Sequence, residues 1–152
     1  HFDLELARKH LDWALKAPAA RVTMTGDPNR LMQLFSNLMQ NSLRYTDGSA
    51  NKPGRVEAEV QRSDAGITVR WSDSSPGVPD DALALLFDRL YRVEASRSRA
   101  SGGSGLGLSI VRSIAEAHQG QVTAMHSPLG GLVVSVFFPH PSDQPDSGSP
   151  AR

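Results

Sequence analysis

The sequence predicts an α+β protein, in which helices cover one face of a mixed, mostly antiparallel sheet to form a two-layer α/β sandwich. Predicted helices and strands are interleaved along the chain, without the strand–helix–strand repeats of a parallel sheet. Two long segments have helical periodicity, and several short alternating segments fall in pairs joined by turn residues. Because 152 residues correspond to about one domain, these elements are expected to share one core.

The first part of the chain predicts two helices separated by a short strand. Residues 3–16 have apolar side chains at roughly helical spacing, which is typical of an amphipathic helix. Residues 21–25 alternate between apolar and polar side chains and predict a strand. Asp27 and Pro28 are the residue types of a helix N-cap and a first helical position, so the second helix is expected to run from Pro28 to Tyr45.

The middle of the chain predicts a hairpin followed by a short helix. Residues 55–62 and 67–71 both alternate, and the turn-forming residues 64–66 lie between them. Residues 80–90 predict the helix. The hairpin would supply two neighbouring antiparallel strands of the sheet.

The last part predicts a loop, a helix and two strands. Residues 93–103 are polar, basic and rich in Ser and Gly, which is typical of a mobile loop. Residues 106–118 have the apolar spacing of a helix that stops at Gly120. Residues 121–126 and 132–138 predict strands around a Pro-Leu-Gly-Gly turn.

The predicted domain covers residues 1–139, and residues 140–152 are predicted to be a disordered tail because they are mostly Pro, Ser, Asp and Gly. The chain does not begin with Met, and its first segment carries charges throughout, so it is interpreted as a piece of a longer protein. That parent could still be a membrane protein.

The composition excludes several classes of function. Acidic and basic residues number 16 each, so no basic field favours nucleic acid, and aromatic residues, at 6%, are too few for a base-stacking surface. The absence of cysteine excludes a disulfide framework and a cysteine-based zinc site. No apolar run approaches the ~20 residues of a membrane helix, so no direct membrane contact is expected of this chain.

Asn37, Asn41 and Arg44 lie on one stripe of the second predicted helix, opposite Leu34 and Leu38, because they are spaced four and three residues apart. Asn is a poor helix former, so two on one stripe require a reason. An amide oxygen can ligate Mg²⁺, and an arginine one turn away can contact phosphate. A solvated polar face explains this segment equally well.

Residues 73–78 read Asp-Ser-Ser-Pro-Gly-Val and follow a predicted strand directly. A carboxylate at a strand end can accept a hydrogen bond from an adenine amino group, and Gly77 would let the backbone pass close to a base. A plain β-turn explains the same residues, and taken alone this segment favours the turn.

Residues 102–108 read Gly-Gly-Ser-Gly-Leu-Gly-Leu and open a predicted helix, where free N–H groups and the helix dipole favour phosphate. They do not fit the Rossmann spacing of glycines, and Leu108 stands where a P-loop requires lysine. The basic residues just before them are Arg89, Arg92, Arg97 and Arg99. Arginines beside a phosphate site suit phosphoryl transfer, although a solvated basic loop is the alternative.

Taken together and in this order, these segments resemble the catalytic domain of sensor histidine kinases, in the GHKL ATPase superfamily. The family's N, F and G2 boxes look like NLMQNSLRY (37–45), LFDRLYR (86–92) and GGSGLGL (102–108), and its G1 box looks like the Asp-Ser-Ser-Pro-Gly-Val segment (73–78). Each box alone is weak, but four in order, within a match over residues 27–139, are specific. The resemblance implies a Bergerat ATP-binding fold with Mg-ATP between helices and a flexible lid.

The resemblance also implies roles for individual residues. Asn41 would ligate Mg²⁺ with support from Asn37, Arg44 would contact phosphate, and Tyr45 would lie beside the nucleoside. Asp73 would accept from the adenine amino group, and Gly77 would shape the base pocket. Arg92 and Arg97 would contact phosphate from the lid. The lid hinge and phosphate cradle would comprise Gly103, Gly105, Leu106 and Gly107.

Three residues depart from the family pattern. Gln40 stands where an acidic residue is common, which puts a base role there in doubt. Ser75 replaces the usual first glycine of the G1 box, and Leu90 replaces a frequent phenylalanine of the F box. Ser75 would tighten the turn, and Leu90 would alter packing only.

The phosphoacceptor histidine of the family is followed by an acidic residue, and no histidine of this chain is. His118, near a helix end, better suits a cap or surface role. The resemblance therefore implies a partner dimerisation domain elsewhere in the same parent, a response regulator of the same pathway, and a cytoplasmic domain of a bacterial inner-membrane protein. The rivals are an ATPase or anti-sigma-type kinase of the same superfamily, and a degenerate interaction module that has lost ATP binding.

Overall fold

The computed structural model describes residues 2–74, 76–88 and 107–141, which form interleaved helices and strands. The α-helices are α1 (Asp3–Arg8), α2 (Pro28–Tyr45) and α3 (Gly107–Ala117), and a 3₁₀ helix spans Asp80–Leu85. The strands are β1 (Leu11–Lys16), β2 (Gly54–Arg62), β3 (Gly66–Asp73), β4 (Gln121–His126) and β5 (Leu132–Pro139).

The five strands form one mixed sheet in the order β1-β2-β3-β5-β4. Strand β1 runs parallel to β2, and the other neighbours are antiparallel. Helices α2 and α3 pack together over one face, where their apolar residues share a core with Val56, Trp71 and Val136 of the sheet. The predicted two-layer α/β sandwich with a mostly antiparallel sheet is confirmed.

Helix α2 has the predicted bounds, because both its start and its buried face were encoded locally. The Asp27 carboxylate accepts hydrogen bonds from the backbone N–H groups of Asn29 (3.0 Å) and Arg30 (3.3 Å), as a helix N-cap does. Leu34 and Leu38 are fully buried. Burying a side chain of this size stabilises the fold by roughly 1.5–3 kcal/mol, so these two leucines fix the face that α2 presents to the sheet.

The predicted hairpin is also confirmed. Strands β2 and β3 pair antiparallel from Val56–Asp73 to Arg62–Ile67, and the Ser63 N–H donates to the Gly66 carbonyl (2.9 Å) across the turn. Gly66 adjoins β5, since a Cβ there would lie 2.1 Å from the Phe138 carbonyl oxygen. The turn glycine therefore also allows the close approach of a third strand.

The prediction of one helix over residues 3–16 is wrong. Helix α1 ends at Arg8, His10 has a positive φ of 54°, and the chain continues as strand β1. The segment's apolar residues fit a helical period, but Leu11, Trp13 and Leu15 also alternate. Pairing with β2 and contact of the Trp13 ring with Trp71 (centroids 5.1 Å apart) select the strand.

Two further predictions differ from the structure. Residues 21–25 form no strand, and the whole stretch 17–27 has neither helix nor strand. An alternating pattern needs a neighbouring strand to pair with, and this segment pairs with no strand of the described sheet. Of the helix predicted over residues 80–90, the described part is a 3₁₀ helix that ends at Leu85. The predicted loop 93–103 lies outside the described residues.

Helix α3 ends close to the predicted position. Glycine is needed at position 120 because strand β5 passes close to it, and not because of a positive φ. The positive φ that follows the helix belongs to Gln119 (60°). A Cβ on Gly120 would lie 2.2 Å from the Phe137 carbonyl oxygen of β5, so only glycine fits there. The Gly120 N–H donates to the Ala115 carbonyl (2.8 Å) and closes the helix end.

After β5, His140 remains attached to the β2–β3 turn. Its backbone N–H donates to the Ala65 carbonyl (3.1 Å), and its Nε2 lies 2.9 Å from the Ser63 carbonyl oxygen. Residues 142–152 of the predicted tail lie outside the described part of the chain. Among the described residues, no helix has the length and apolar character needed to cross a membrane.

Candidate functional site

The stripe of Asn37, Asn41 and Arg44 lies next to the buried face of α2. The sequence had predicted that the stripe would lie on the opposite side of the helix. At 100° per residue, Asn41 is only about 60° around the helix from Leu38. Asn37, Asn41 and Arg44 are all half-buried, which disfavours the solvated polar face. The Asn37 amide nitrogen is fully buried and has no hydrogen-bond partner. An unpaired buried amide costs about 1–3 kcal/mol, which indicates a group reserved for something other than folding.

Asp73 is the last residue of β3, and its side chain is only 8% exposed. Its Oδ1 accepts a hydrogen bond from the Leu132 backbone N–H (3.0 Å). Burial raises the pKa of the carboxyl group to about 6, although the Leu132 hydrogen bond pulls the pKa down. A carboxyl group titrating near 6 at a strand end is typical of a functional site.

The segment after Asp73 packs tightly against the β4–β5 turn. The Gly131 N–H donates to the Asp73 carbonyl (3.2 Å). Gly130 has a φ of 110°, and a Cβ there would lie 2.5 Å from the Ser74 carbonyl oxygen. A Cβ on Gly77 would lie 3.2 Å from the Gly130 carbonyl oxygen. Gly77 therefore fits a close backbone approach, and the plain β-turn does not account for the buried carboxylate beside it.

A buried hydrogen bond brings the end of β3 next to the C-terminal half of α2. The Trp71 indole Nε1 donates to the Ser42 hydroxyl (2.9 Å), and both side chains are buried. Asn41 precedes Ser42, and Asp73 lies two residues beyond Trp71. The structure thus places the predicted amide stripe and the predicted carboxylate on adjoining elements.

Gly107 is the first described residue of α3. A Cβ added to Gly107 would meet no atom of the described chain within 4 Å. Leu108, the next residue, is buried and anchors the helix start in the core. Of the other predicted residues, Tyr45 is half-buried at the end of α2. Those outside the described residues are Arg92, Arg97, Gly103, Gly105 and Leu106.

Sequence reasoning missed one buried residue beside the site and one long-range contact away from it. Thr46, directly after α2, is fully buried, and its hydroxyl oxygen has no hydrogen-bond partner. Its polar side chain after a helix end predicts an exposed cap, and only the packing shows it to be buried. His118 contacts Asp27 across 91 residues, which no local pattern signals.

No cluster of three or more His, Cys, Asp or Glu residues that could hold a metal ion exists among the described residues. A metal ion at the α2 stripe would therefore need amide oxygens of Asn and oxygens of a bound ligand. Mg²⁺ is often held in this way, by one or two protein groups together with phosphate oxygens.

Comparison with known proteins finds the same domain in signalling enzymes. Residues 26–142 match the family of histidine kinase-, DNA gyrase B- and HSP90-like ATPases. The chain is 51% identical over 118 residues to the signal transduction histidine-protein kinase BaeS of Escherichia coli strain K12, covering 78% of this chain and 24% of BaeS. The chain thus spans about a quarter of the length of the curated relatives it matches.

Solved structures of histidine kinases have the same fold. The nucleotide-free catalytic domain of ThkA superposes with a TM-score of 0.76 at 22% identity, covering 91% of this chain and 86% of that one. ThkA in complex with the response regulator protein TrrA gives 0.72 at 20% identity, covering 94% and 38%. Full-length ShkA in complex with AMPPNP gives 0.71 at 25% identity, covering 90% and 27%.

Proposed function

The chain belongs to the family of histidine kinase-, DNA gyrase B- and HSP90-like ATPases, and from this we propose that it binds Mg-ATP and presents the γ-phosphate to a histidine on a separate dimerisation domain of the same parent protein. The identity to BaeS supports a sensor kinase over the other branches of the family. The AMPPNP complex of ShkA supports an ATP site in this fold.

The observation that carries the proposal is the buried Asp73 carboxyl group. A carboxylate has about four lone-pair sites, and the Leu132 N–H occupies one of them in the described structure. The adenine amino group is a donor that would use another. Because the pKa of Asp73 is near 6, the carboxyl group is mostly ionised at neutral pH and acts as an acceptor. Gly77 would lie alongside the base, and Tyr45 beside the nucleoside.

The amide stripe of α2 fits the phosphate end of the nucleotide. Asn41 would offer its amide oxygen to Mg²⁺, Asn37 would support it, and Arg44 would contact a phosphate. The unpaired Asn37 amide nitrogen supports a ligand at this place. Bound Mg²⁺ would neutralise charge on the phosphates during transfer. The N-terminus of α3 at Gly107 suits phosphate oxygens.

The remaining contacts are assigned through the family motifs. Arg92 and Arg97 would approach the phosphates from a lid, and Gly103, Gly105 and Leu106 would hinge the lid and complete the cradle. In the transfer, the imidazole nitrogen of the acceptor histidine bonds to the γ-phosphorus as the β,γ-bridging oxygen leaves with ADP. The imidazole is itself the nucleophile, so glutamine at position 40 in place of an acid is compatible with the reaction.

The ThkA–TrrA complex supports a response regulator as the second partner of the parent protein. The parent is proposed to be a sensor kinase of the bacterial inner membrane, with this domain on the cytoplasmic side. Catalysis by the domain would then consist of positioning and charge stabilisation.

Calorimetric titration with a non-hydrolysable ATP analogue, with and without Mg²⁺, tests the proposal. Wild-type protein is expected to bind only weakly without the metal. Asn41→Ala should abolish the Mg²⁺-dependent binding, because it removes the proposed ligand oxygen. Asn29→Ala, an exposed asparagine in the first turn of the same helix, is the matched control and should bind like wild type.

Two outcomes would contradict the assignment. Wild-type affinity in Asn41→Ala would remove Asn41 from the metal site. No binding by a wild-type protein that melts cooperatively would favour the degenerate interaction module. If the protein binds the analogue, transfer of radiolabelled phosphate from ATP to a separately supplied dimerisation domain would distinguish a histidine kinase from a simple ATPase.

A further inference from the structure

The His118 ring joins the end of α3 to the start of α2. Its Nε2 lies 3.0 Å from the backbone nitrogen of Asp27, the N-cap residue of α2. Its Nδ1 lies 2.8 Å from the Ile114 carbonyl oxygen, one turn back on α3. The ring therefore contacts one group in its own helix and one group in the other.

The partners fix which nitrogen carries the proton. A backbone N–H only donates, so Nε2 accepts from Asp27, and a carbonyl only accepts, so Nδ1–H donates to Ile114. The neutral Nδ1–H tautomer uses both ring nitrogens. One imidazole thus serves as a C-terminal cap for α3, as its position near a helix end suggested, and as a bridge to α2.

Two packing contacts hold the ring in this orientation. The ring meets Phe138 of β5 edge-to-face, with centroids 6.2 Å apart and planes at 85°. A Cβ on Gly26 would lie 2.9 Å from His118 Cδ2 and 3.0 Å from Nε2. Only glycine at position 26 allows the ring to lie this close to the backbone that enters α2.

The bridge lies at the end of the helix pair that is remote from the proposed nucleotide site. Residues 17–27 form no helix or strand, so no ladder of backbone hydrogen bonds holds the start of α2. Asn41 lies 14 residues from Asp27, or about 21 Å along the helix. A rotation of about 10° at Asp27 would move Asn41 by roughly 4 Å, which is more than a metal–ligand bond tolerates.

We infer that His118 is a positioning residue, which sets the placement of α2 relative to α3 and thereby the geometry of the Mg-nucleotide site. The inference rests on the proposed function, because it concerns nucleotide affinity. His118 belongs to none of the four sequence motifs and is not among the predicted site residues. It acts through the backbone N–H of Asp27 and does not touch the nucleotide.

Two substitutions separate the bridge from the cap. In asparagine the amide atoms lie two bonds from Cβ, like Nδ1, so His118→Asn keeps the bond to Ile114 and loses the bond to Asp27. In glutamine they lie three bonds from Cβ, like Nε2, so His118→Gln keeps the bond to Asp27 and loses the bond to Ile114. Thermal melts of both variants measure any common loss of stability.

Calorimetric titration of wild type, His118→Asn and His118→Gln with the Mg²⁺-bound ATP analogue tests the inference. His118→Asn is expected to weaken binding by about tenfold, and His118→Gln by less than about twofold. Equal affinities in the two variants, or a weaker His118→Gln, would overturn the positioning role. Absence of binding by folded wild-type protein would instead contradict the proposed function, and the inference would fall with it.

A measurement without nucleotide guards against variants that fail to fold. Long-range ¹H–¹⁵N spectra of the wild-type protein at neutral pH should show His118 as the Nδ1–H tautomer. The Nε2–H tautomer would overturn the bridge, because Nε2 could not then accept from Asp27.

Discussion

The two ends of the α2–α3 pair differ in how their polar groups are used. At the end formed by Asp27 and His118, the N-cap carboxylate and both ring nitrogens have hydrogen-bond partners. At the other end, the Asn37 amide nitrogen and the Thr46 hydroxyl are buried without partners, and Asp73 is buried with a raised pKa. At the first end the polar groups are satisfied by hydrogen bonds within the fold, and at the other end buried polar groups remain without a partner.

This difference indicates where stability and function reside. Buried polar groups with partners stabilise a fold by about 0.5–1.5 kcal/mol each, whereas unpaired ones destabilise it by about 1–3 kcal/mol. The unpaired end is therefore retained at the expense of stability, as is common at binding sites. Apart from the positioning bridge of His118, substitutions at the Asp27 end are expected to change stability more than affinity, and substitutions at the Asn37 end to change affinity more than stability.

The largest effect is expected for Asp73→Asn. The amide oxygen can keep the Leu132 hydrogen bond, but the charge that would attract the adenine amino group is lost. Binding of the ATP analogue should become undetectable by calorimetry while the domain stays folded. Asp64→Asn, in the exposed β2–β3 turn, is the control. Wild-type affinity in Asp73→Asn would remove Asp73 from the base pocket.

The second effect concerns stability and pH. The pKa of Asp73 rises from 3.8 to about 6 on folding, so between these values the folded protein keeps a proton that the unfolded chain releases. The stability that this group contributes is complete below pH 3.8 and is lost as the pH rises through 6. The loss at neutral pH amounts to about 3 kcal/mol.

Urea unfolding at about pH 4 and about pH 7.5 measures this loss. Asp73→Asn has no charge to bury, so its stability relative to wild type should increase by roughly 2–3 kcal/mol between the two values. The apo variant would then be more stable than wild type at neutral pH but unable to bind. A stability difference that does not change with pH would show that the carboxyl group is already ionised at no cost.

The smallest effects are expected for two substitutions on α2, one that changes stability and one that changes affinity. Asp27→Ala removes the N-cap acceptor but keeps the backbone N–H that His118 uses. Stability should fall by about 1 kcal/mol with affinity unchanged within about twofold. Asn37→Ala removes an unpaired amide, so stability should stay within about 1 kcal/mol while affinity falls. Unfolding and calorimetric titration of both variants measure stability and affinity separately. A loss of both stability and affinity in each variant would contradict the prediction.

Elements with short-range signals were predicted well. Helix α2 has its N-cap, its proline and its apolar face within a single short stretch, and the β2–β3 hairpin has its turn between two alternating segments. Residues 3–16 were mispredicted because Leu11 and Leu15 fit two periods at once, and the parallel pairing of β1 with β2 decided between them. Residues 21–25 alternate without a partner strand, so the pattern alone was insufficient.

The residue types of the candidate site were visible in the sequence, but their state was not. Asn37, Asn41 and Asp73 could be named from spacing and motif order. That the Asn37 amide is unpaired depends on the atoms packed around it. That Asp73 titrates near 6 depends on its exclusion from water in the folded state.

The sequence by itself determined the α+β class, the position of α2 and the hairpin, because each rests on periodicity or turn chemistry within a short stretch, and the order of the four motifs was identified by their resemblance to the family. Only the tertiary structure decided the fate of residues 3–16, the burial of Thr46 and Asp73, and the bridge from His118 to Asp27. These depend on contacts between residues far apart in the chain, and the free energy of such contacts exists only once the sheet and helices have come together.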